Sequence, residues 1–270
     1  MKQDKIKKTL GEKLRELTNL GKNAGVDFDE ELIHDFRVVV KSLRSFLRLL
    51  SMAGDNSQIK IHGKFKQLYH ISGSIREAQL ELGKLTNKQS AIPAYTDSLH
   101  QKIDREKIEW NTHYAKKIFD ELRDQLIRQE YNSLSPVVLV SFIDTKMTAI
   151  HELCNLKTLT DDQVHTIRKL AKDIIYITKL AREQWSAGFA QIDALQMKPL
   201  EQIADIIGGY NDDRIILDHL RSFQSEKMAN EEKSTLENLY SEESMRLKKT
   251  KKKTLAFVRK YINEEGSVNL

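Results

Sequence analysis

Apolar side chains recur every three or four residues along almost the whole chain, a spacing typical of amphipathic helices. Glycine, proline and short polar stretches divide this pattern into about eight segments, about four in each half of the chain. The pattern therefore predicts an all-α fold with short connections between packed helices. The predicted helices span about residues 5–20, 30–52, 57–85 and 94–129, and then about residues 136–156, 164–185, 199 onward and 230–261.

Local signals mark several of the predicted helix ends. The stretch Gly21–Gly25 is expected to end the first helix, because glycine tolerates the chain reversal that follows a helix. Asp29 is a predicted cap of the second helix, and Ser135–Pro136 marks the start of the fifth. Thr160 and Gln163 have the spacing of a capping box at the start of the sixth helix.

Two segments repeat the same pattern of charged residues. HDFRVVVKSLRSFLRLL begins at His34 and HTIRKLAKDIIYITKL begins at His165, and in each an Arg and a Lys follow the His at positions i+3 and i+7. Downstream, ISGSIREAQL around Arg76 parallels IIGGYNDDRIIL around Asn211. Two matches in the same order indicate duplication of a four-helix unit. We therefore predict one domain of two four-helix-bundle repeats, about residues 1–133 and 134–270.

The cations of the first copy lie on one side of its predicted helix. At about 100° and 1.5 Å per residue they fall within a sector of roughly 80° and extend about 21 Å along the axis. Apolar residues fill the opposite side, which we expect to be buried. This first row consists of His34, Arg37, Lys41, Arg44 and Arg48.

A second row follows the same pattern with fewer cations on the central line. It consists of His165, Arg168, Lys169, Lys172 and Lys179. Ile175 stands where the first row has Arg44, and Asp173 is expected to intrude beside the row. Lys169 is expected to compensate from the edge. We therefore expect an asymmetric site in which the first half of the chain contributes more charge.

Rows of like charge do not stabilise a helix by themselves, because each adjacent pair costs about 0.2–0.5 kcal/mol. A bound phosphate reverses the balance, since a hydrogen bond from arginine or lysine to a charged acceptor contributes about 1.5–3 kcal/mol. Arginine can donate to two oxygens, lysine supplies a mobile charge, and histidine adds a donor whose charge depends on pH. The mixture indicates a site for phosphate groups.

Composition sets limits on this interpretation. The 44 Lys and Arg residues against 39 acids give a net charge of +5, which is too small to define a polyanion binder by itself. The single cysteine, Cys154, removes internal disulfides and CxxC metal patterns from consideration. No run approaches the roughly 20 apolar residues of a membrane span. We expect a soluble cytoplasmic protein with no membrane partner, no cofactor and no bound metal.

The duplicated segments resemble the signature of the CHAD family (conserved histidine α-helical domain), in which His, Arg and Lys recur along one helix face in two four-helix repeats. The resemblance rests on HDFRVVVKSLR, on HTIRKLAKDIIY and on the two downstream segments, and together these span about residues 30–220. It implies a helical fold with approximate internal two-fold symmetry. It also implies a positively charged surface or channel between the halves, and binding of polyphosphate chains.

The resemblance assigns an anion-binding role to both rows. Arg76 is a weaker candidate, because the family often has Asp after this arginine whereas Glu77 follows it here, and an internal salt bridge of the pair is the alternative. The expected function is non-catalytic binding of inorganic polyphosphate in a basic groove lined by both rows. Association with polyphosphate granules in the cytoplasm is a further expectation.

Two alternatives stand beside this prediction. A basic surface also attracts nucleic acids, but aromatic residues make up only 7% of the chain, and Phe36 and Phe46 lie on the apolar face of the second helix. A metal-assisted polyphosphate hydrolase would use His34 and His165 with acids of the third and seventh helices. No P-loop, nucleophile elbow or HExxH motif supports an enzyme.

Several other residues have both a functional and a structural interpretation. The run RLKKTKKK at Arg246–Lys253 could extend the anion site or simply solvate a helix surface. Asp212 and Asp213 could hold magnesium, although beside two glycines they more often organise a turn or a helix start. Trp110 and Trp185 lie at helical spacing with other apolar residues and are predicted to be core residues.

Overall fold

The computed structural model describes residues 1–54, 59–61, 63–114, 116–184, 197–223 and 228–265. These residues form α-helices and one short 3₁₀ helix, with no strand among them, which confirms the predicted all-α fold. None of the described helices has the length and apolar character needed to cross a membrane. The elements are α1 (Gln3–Asp27), α2 (Glu30–Ala53), α3 (Gly63–Lys84), the 3₁₀ helix (Gln89–Ala91), α4 (Pro93–His113), α5 (Lys116–Ile127), α6 (Pro136–Cys154), α7 (Asp161–Gln184), α8 (Met197–Ser222) and α9 (Asn230–Glu265).

The predicted caps of α2 and α7 are confirmed. Asp29 Oδ1 accepts hydrogen bonds from the backbone N–H groups of Glu31 at 2.9 Å and Leu32 at 3.0 Å. Thr160 and Gln163 exchange the two hydrogen bonds of a capping box, at 2.8 and 3.2 Å. Because these side chains satisfy N–H groups that have no partner inside the helix, they fix where each cation-bearing helix begins.

The prediction that α1 ends within Gly21–Gly25 is wrong. The helix continues to Asp27. Phe28 then adopts a left-handed φ of 58°, and its N–H donates to the carbonyl oxygen of Ala24 at 3.0 Å. A phenylalanine therefore occupies the C-terminal position where glycine is usual.

The two glycines of α1 serve close packing inside the helix. A Cβ added at Gly21 would lie 2.7 Å from Phe119 Cζ, and one added at Gly25 would lie 2.8 Å from Trp110 Nε1. Both aromatic side chains are buried. The helix can approach these rings so closely only because neither position carries a side chain.

The segment predicted as one helix from about residue 94 to residue 129 is instead two helices, α4 and α5. Tyr114 ends α4 in an extended conformation. Its ring stacks against Trp110 with centroids 6.1 Å apart, and its centroid lies 5.5 Å from that of Phe119 in α5. No glycine or proline stands at this break. Burial of the aromatic cluster therefore explains the break better than a local helix breaker does.

Other predicted boundaries differ from the structure by a few residues. The expected start of the third helix near Ser57 and the predicted core residue Trp185 both lie outside the described residues. Trp110 is fully buried, as predicted. Pro199 lies in the first turn of α8, which begins at Met197.

The chain divides into two compact units. The first comprises Met1–Ser133 and Phe223–Leu236, and the second comprises Leu134–Ser222 and Glu237–Leu270. The helix α9 thus contributes its first residues to one unit and the rest to the other. In the first unit, Glu232 of α9 accepts a hydrogen bond of 2.7 Å from the backbone N–H of Ala94, which caps α4.

The two units bury different kinds of side chain under their cation rows. In the first unit, Phe36 of α2 lies in an aromatic cluster, with its ring centroid 5.3 Å from Trp110 and 6.3 Å from Phe65. In the second unit, the buried face of α7 is mainly aliphatic, and α7 packs against α6 and α8. In both units, burial of the apolar face fixes the rotation of the helix that carries the row.

Gly21→Ala is expected to lower the free energy of unfolding by about 1–3 kcal/mol, because its Cβ would overlap the buried Phe119 ring. This loss should appear although alanine favours a helix over glycine by about 1 kcal/mol. Chemical denaturation of the full chain measures it. The matched control is Gly11→Ala in the same helix, where an added Cβ meets nothing within 4 Å. The control should be stabilised, and equal stabilisation of both variants would contradict the packing role of Gly21.

Candidate functional site

The helices α2 and α7 bury the same positions of the duplicated pattern. When His34 is aligned with His165, the shared buried positions include Ile33 with Val164, Phe36 with Ile167, Leu43 with Ile174, and Leu50 with Ala181. Each row of cations therefore stands in the same register relative to the buried face of its own helix.

The first row lies along the solvent-facing side of α2. His34, Arg44 and Arg48 are exposed, whereas Arg37 and Lys41 are half-buried. Arg48 Nη2 donates a hydrogen bond of 3.1 Å to Ser45 Oγ within the same helix. The first row thus exposes His34 at one end and the guanidinium groups of Arg44 and Arg48 towards the other.

Arg37 is held by neutral groups of α3. Its Nη1 donates to the carbonyl oxygen of Tyr69 at 3.0 Å and to Ser72 Oγ at 3.2 Å. The guanidinium carbon also lies 4.7 Å from the centroid of the Tyr69 ring, and that of Arg44 lies 5.7 Å from the same centroid. These contacts orient two guanidinium groups without cancelling their charge.

Arg168 makes the corresponding contact in the second unit. Its Nε donates a hydrogen bond of 3.2 Å to the carbonyl oxygen of Ala204 in α8. Arg168 is half-buried, as Arg37 is. The leading arginine of each row is therefore bound to a backbone carbonyl of the helix that follows.

The lysines of the second row are matched by acids of α8. Lys172 Nζ lies 3.1 Å from Asp205 Oδ1, and Lys179 Nζ lies 2.7 Å from Glu201 Oε1. Lys169 is exposed, while Ile175, which stands in place of an arginine, is buried. Acids of α8 thus balance part of the charge of the second row.

Two expectations about neighbouring charges need correction or refinement. Asp173 does not intrude on the second row, because it is buried and its Oδ2 lies 3.5 Å from Lys146 Nζ of α6. Arg76 forms an ion pair with Glu30 in the first turn of α2. Arg76 therefore pairs with Glu30 rather than with its neighbour Glu77, and this pair links α3 to α2.

His165 is half-buried, and its Nδ1 has no hydrogen-bond partner among the described residues. Burial lowers the pKa of His165 to about 4, and the nearby cations Lys169, Arg168 and Arg214 lower it in the same direction. Asp162 opposes them by raising this pKa. His165 is therefore neutral at neutral pH in the unliganded protein.

The basic run in α9 is partly used for internal ion pairs. Lys251 Nζ lies 2.6 Å from Asp161 Oδ1 in the first turn of α7, and Tyr210 donates a hydrogen bond of 2.6 Å to the same carboxylate oxygen. Arg246 Nη2 lies 3.4 Å from Asp213 Oδ1. These contacts favour a structural role for part of the run and for Asp213.

Among the described residues, no group of three or more His, Cys, Asp or Glu side chains has the spacing to hold a metal ion. Cys154 is buried, and burial raises the pKa of its thiol to about 11. At neutral pH this thiol is therefore protonated and a weak ligand.

The sequence interpretation missed three residues that shape the rows. Tyr69 contacts both Arg37 and Arg44, and Gly73 and Gly208 lie beneath the two leading arginines. A signal for the glycines was present, because they occupy the same position in the two downstream repeat segments. No such signal marks Tyr69.

Two comparisons with known proteins found a match for this chain. The family model of the CHAD domain matches residues 9–221, a range that includes both rows. The crystal structure of the CHAD domain from the plant Ricinus communis has the same fold, with a TM-score of 0.65 and 12% sequence identity. The alignment covers 98% of this chain and 86% of that chain. No curated protein sequence matches the chain.

The buried neutral state of His165 predicts a pH dependence of stability. The folded pKa of about 4 lies below the ordinary value of 6.5, so the unfolded chain binds more protons between these pH values. The contribution of His165 to stability is therefore present above pH 6.5 and is lost as the pH falls towards 4.

The variant His165→Gln should reduce the slope of unfolding free energy against pH within this window, as measured by denaturation at several pH values. The matched control is His100→Gln, at an exposed position of α4. An unchanged slope in the His165 variant would show that burial of this ring does not control its protonation.

Proposed function

The chain belongs to the CHAD family, and from this premise we propose that it is a non-catalytic module that binds inorganic polyphosphate through the rows of α2 and α7. The single observation that carries the proposal is that Arg37 and Arg168 make corresponding contacts in the two units. Each is bound to a neutral carbonyl oxygen of the following helix. Among the described residues, no carboxylate pairs with either guanidinium.

The first row supports the proposal more strongly than the second. Arg37 and Arg44 share contacts with one tyrosine ring, which limits the motion of both guanidinium groups. Each guanidinium retains N–H donors that phosphate oxygens could accept in pairs. A linear anion can also contact several cations at once, because the row extends about 21 Å along the helix.

The lysines of the second row can also bind a phosphate chain if the phosphate groups replace their acid partners. The acid partner of Lys172, Asp205, is exposed, and Lys179 is itself exposed in its pair with Glu201. Such exposed ion pairs contribute about 0–1 kcal/mol, so a multiply charged phosphate chain can displace them at small cost. We therefore propose that the first row contributes more of the binding energy.

Polyphosphate is a better candidate ligand than nucleic acid for these rows. Tyr69 is the aromatic ring in contact with the first row, and two guanidinium groups already lie against it. Single-stranded nucleic acids gain affinity by stacking bases on accessible aromatic rings. The contacts of Tyr69 favour a ligand that needs cations and no stacking surface.

We predict that the full chain binds long polyphosphate much more tightly than orthophosphate, because a long chain makes several contacts at once and releases more counterions. Titration with chains of graded length, at two salt concentrations, measures the effect. The affinity should rise with chain length and fall with added salt. Equal affinity for orthophosphate and long chains, or preferential binding of RNA at matched charge, would contradict the proposal.

The variant Arg44→Gln should weaken polyphosphate binding by about tenfold and reduce the slope of log affinity against log salt by about one, since one phosphate contact is lost. Stability should change little, because Arg44 is exposed. Arg15→Gln removes the same charge from an exposed position of α1 and serves as the matched control. If both variants weaken binding equally, net charge rather than the first row determines affinity.

A further inference from the structure

Each row has one arginine that lies directly against a glycine of the next helix. A Cβ added at Gly73 would be 2.7 Å from Arg37 Nη1 and 3.3 Å from its Cζ. A Cβ added at Gly208 would be 3.1 Å from Arg168 Nε and 3.2 Å from its Nη2. Any other residue at either position would press on the guanidinium group.

The glycine also keeps a backbone acceptor accessible. The carbonyls that accept from the two arginines belong to Tyr69 and Ala204, and each stands four residues before its glycine. A helical side chain covers the surface over the turn that precedes it, so a side chain at the glycine would cover this carbonyl. Without one, the arginine can donate to the oxygen in addition to the donors within the helix, which for Tyr69 include Ser72 Oγ at 2.7 Å.

The glycine contact leaves part of each guanidinium available. Arg37 uses Nη1 in its two hydrogen bonds, and Arg168 uses Nε in its one. The other N–H groups of these two side chains form no hydrogen bond within the described residues. A guanidinium that is already fixed loses less conformational entropy when it binds an anion, so its orientation favours affinity.

We propose that Gly73 and Gly208 are positioning residues of the anion site. Because they carry no side chain, the guanidinium groups of Arg37 and Arg168 can lie against the next helix, in an orientation that favours phosphate binding. This inference rests on the proposed function. The two glycines have no contact with the ligand of their own and act through the arginines. The same arrangement in both units is the observation that separates it from a chance helix contact.

Close helix packing alone is the competing explanation for the two glycines. It predicts that alanine at these positions changes stability and leaves the affinity of the folded protein unchanged. A positioning role predicts weaker binding with little change in stability, because the atoms that an added Cβ would meet belong to the end of a flexible side chain. The arginine can move aside, which preserves the fold and loses the orientation.

The test compares Gly73→Ala and Gly208→Ala with Gly83→Ala and Gly209→Ala, in the full chain and with long inorganic polyphosphate as the probe. An added Cβ at either control position meets nothing within 4 Å, and each control lies in the same helix as its test position. We expect about tenfold weaker binding for each test variant. The controls should bind within about twofold of the wild type, with all four proteins folded by circular dichroism.

A double-mutant cycle identifies the route by which Gly73 acts. If the glycine acts through Arg37, then Gly73→Ala should have little further effect on binding in an Arg37→Gln background. Additive effects of the two substitutions would overturn the positioning role. Should Gly73→Ala fail to fold, Gly208→Ala with Arg168→Gln provides the same cycle at the wider contact.

The outcomes separate this inference from the function on which it rests. A wild-type chain that binds polyphosphate, together with test variants that bind equally well, would overturn the positioning role and leave the proposed function in place. A wild-type chain without affinity for polyphosphate would overturn both. Weaker binding by the two test variants, with unchanged binding by the two controls, would support both the positioning role and the proposed function.

Discussion

The hydrogen bond between a row arginine and a backbone carbonyl of the next helix is the interaction on which the candidate site depends. Arg37 donates to Tyr69 and Arg168 donates to Ala204, and in both cases the partner is neutral. A carboxylate partner would have fixed the guanidinium equally well and cancelled its charge. A carbonyl fixes the group and leaves the charge available for an anion. This choice of partner links the packing of two helices in each unit to the chemistry of the surface they present.

The two units use this interaction in different electrostatic surroundings. The first adds Arg44 beside Tyr69, whereas the second has the buried Ile175 and lysines paired with Asp205 and Glu201. The second unit also keeps His165 neutral, because burial and neighbouring cations lower its pKa to about 4. An approaching phosphate would favour the protonated ring and so oppose this effect. The duplicated pattern has thus diverged: the first row places two guanidinium groups against one tyrosine ring, and the second row pairs two lysines with acids of α8.

Much of the fold was accessible from the sequence, because caps and apolar spacing act locally. Asp29, Thr160 and Gln163 cap their helices as predicted. Errors arose where distant contacts decide the outcome. Gly21 serves close packing against the buried Phe119 ring and does not end its helix, and the break after α4 follows from aromatic packing at Tyr114. At the site, spacing identified the rows, but neither the acid partners from α8 nor the carbonyl contacts could be predicted, since both depend on how neighbouring helices pack.

The most direct test of the account is a crystal structure of the chain with a bound polyphosphate chain. The account predicts phosphate oxygens within hydrogen-bond distance of Arg37 and Arg44, with both guanidinium groups still in contact with Tyr69. It also predicts that the carbonyl of Tyr69 keeps its hydrogen bond to Arg37 when the ligand is present. Polyphosphate bound only along the basic run of α9, or an Arg37 turned away from α3 towards the ligand, would contradict it.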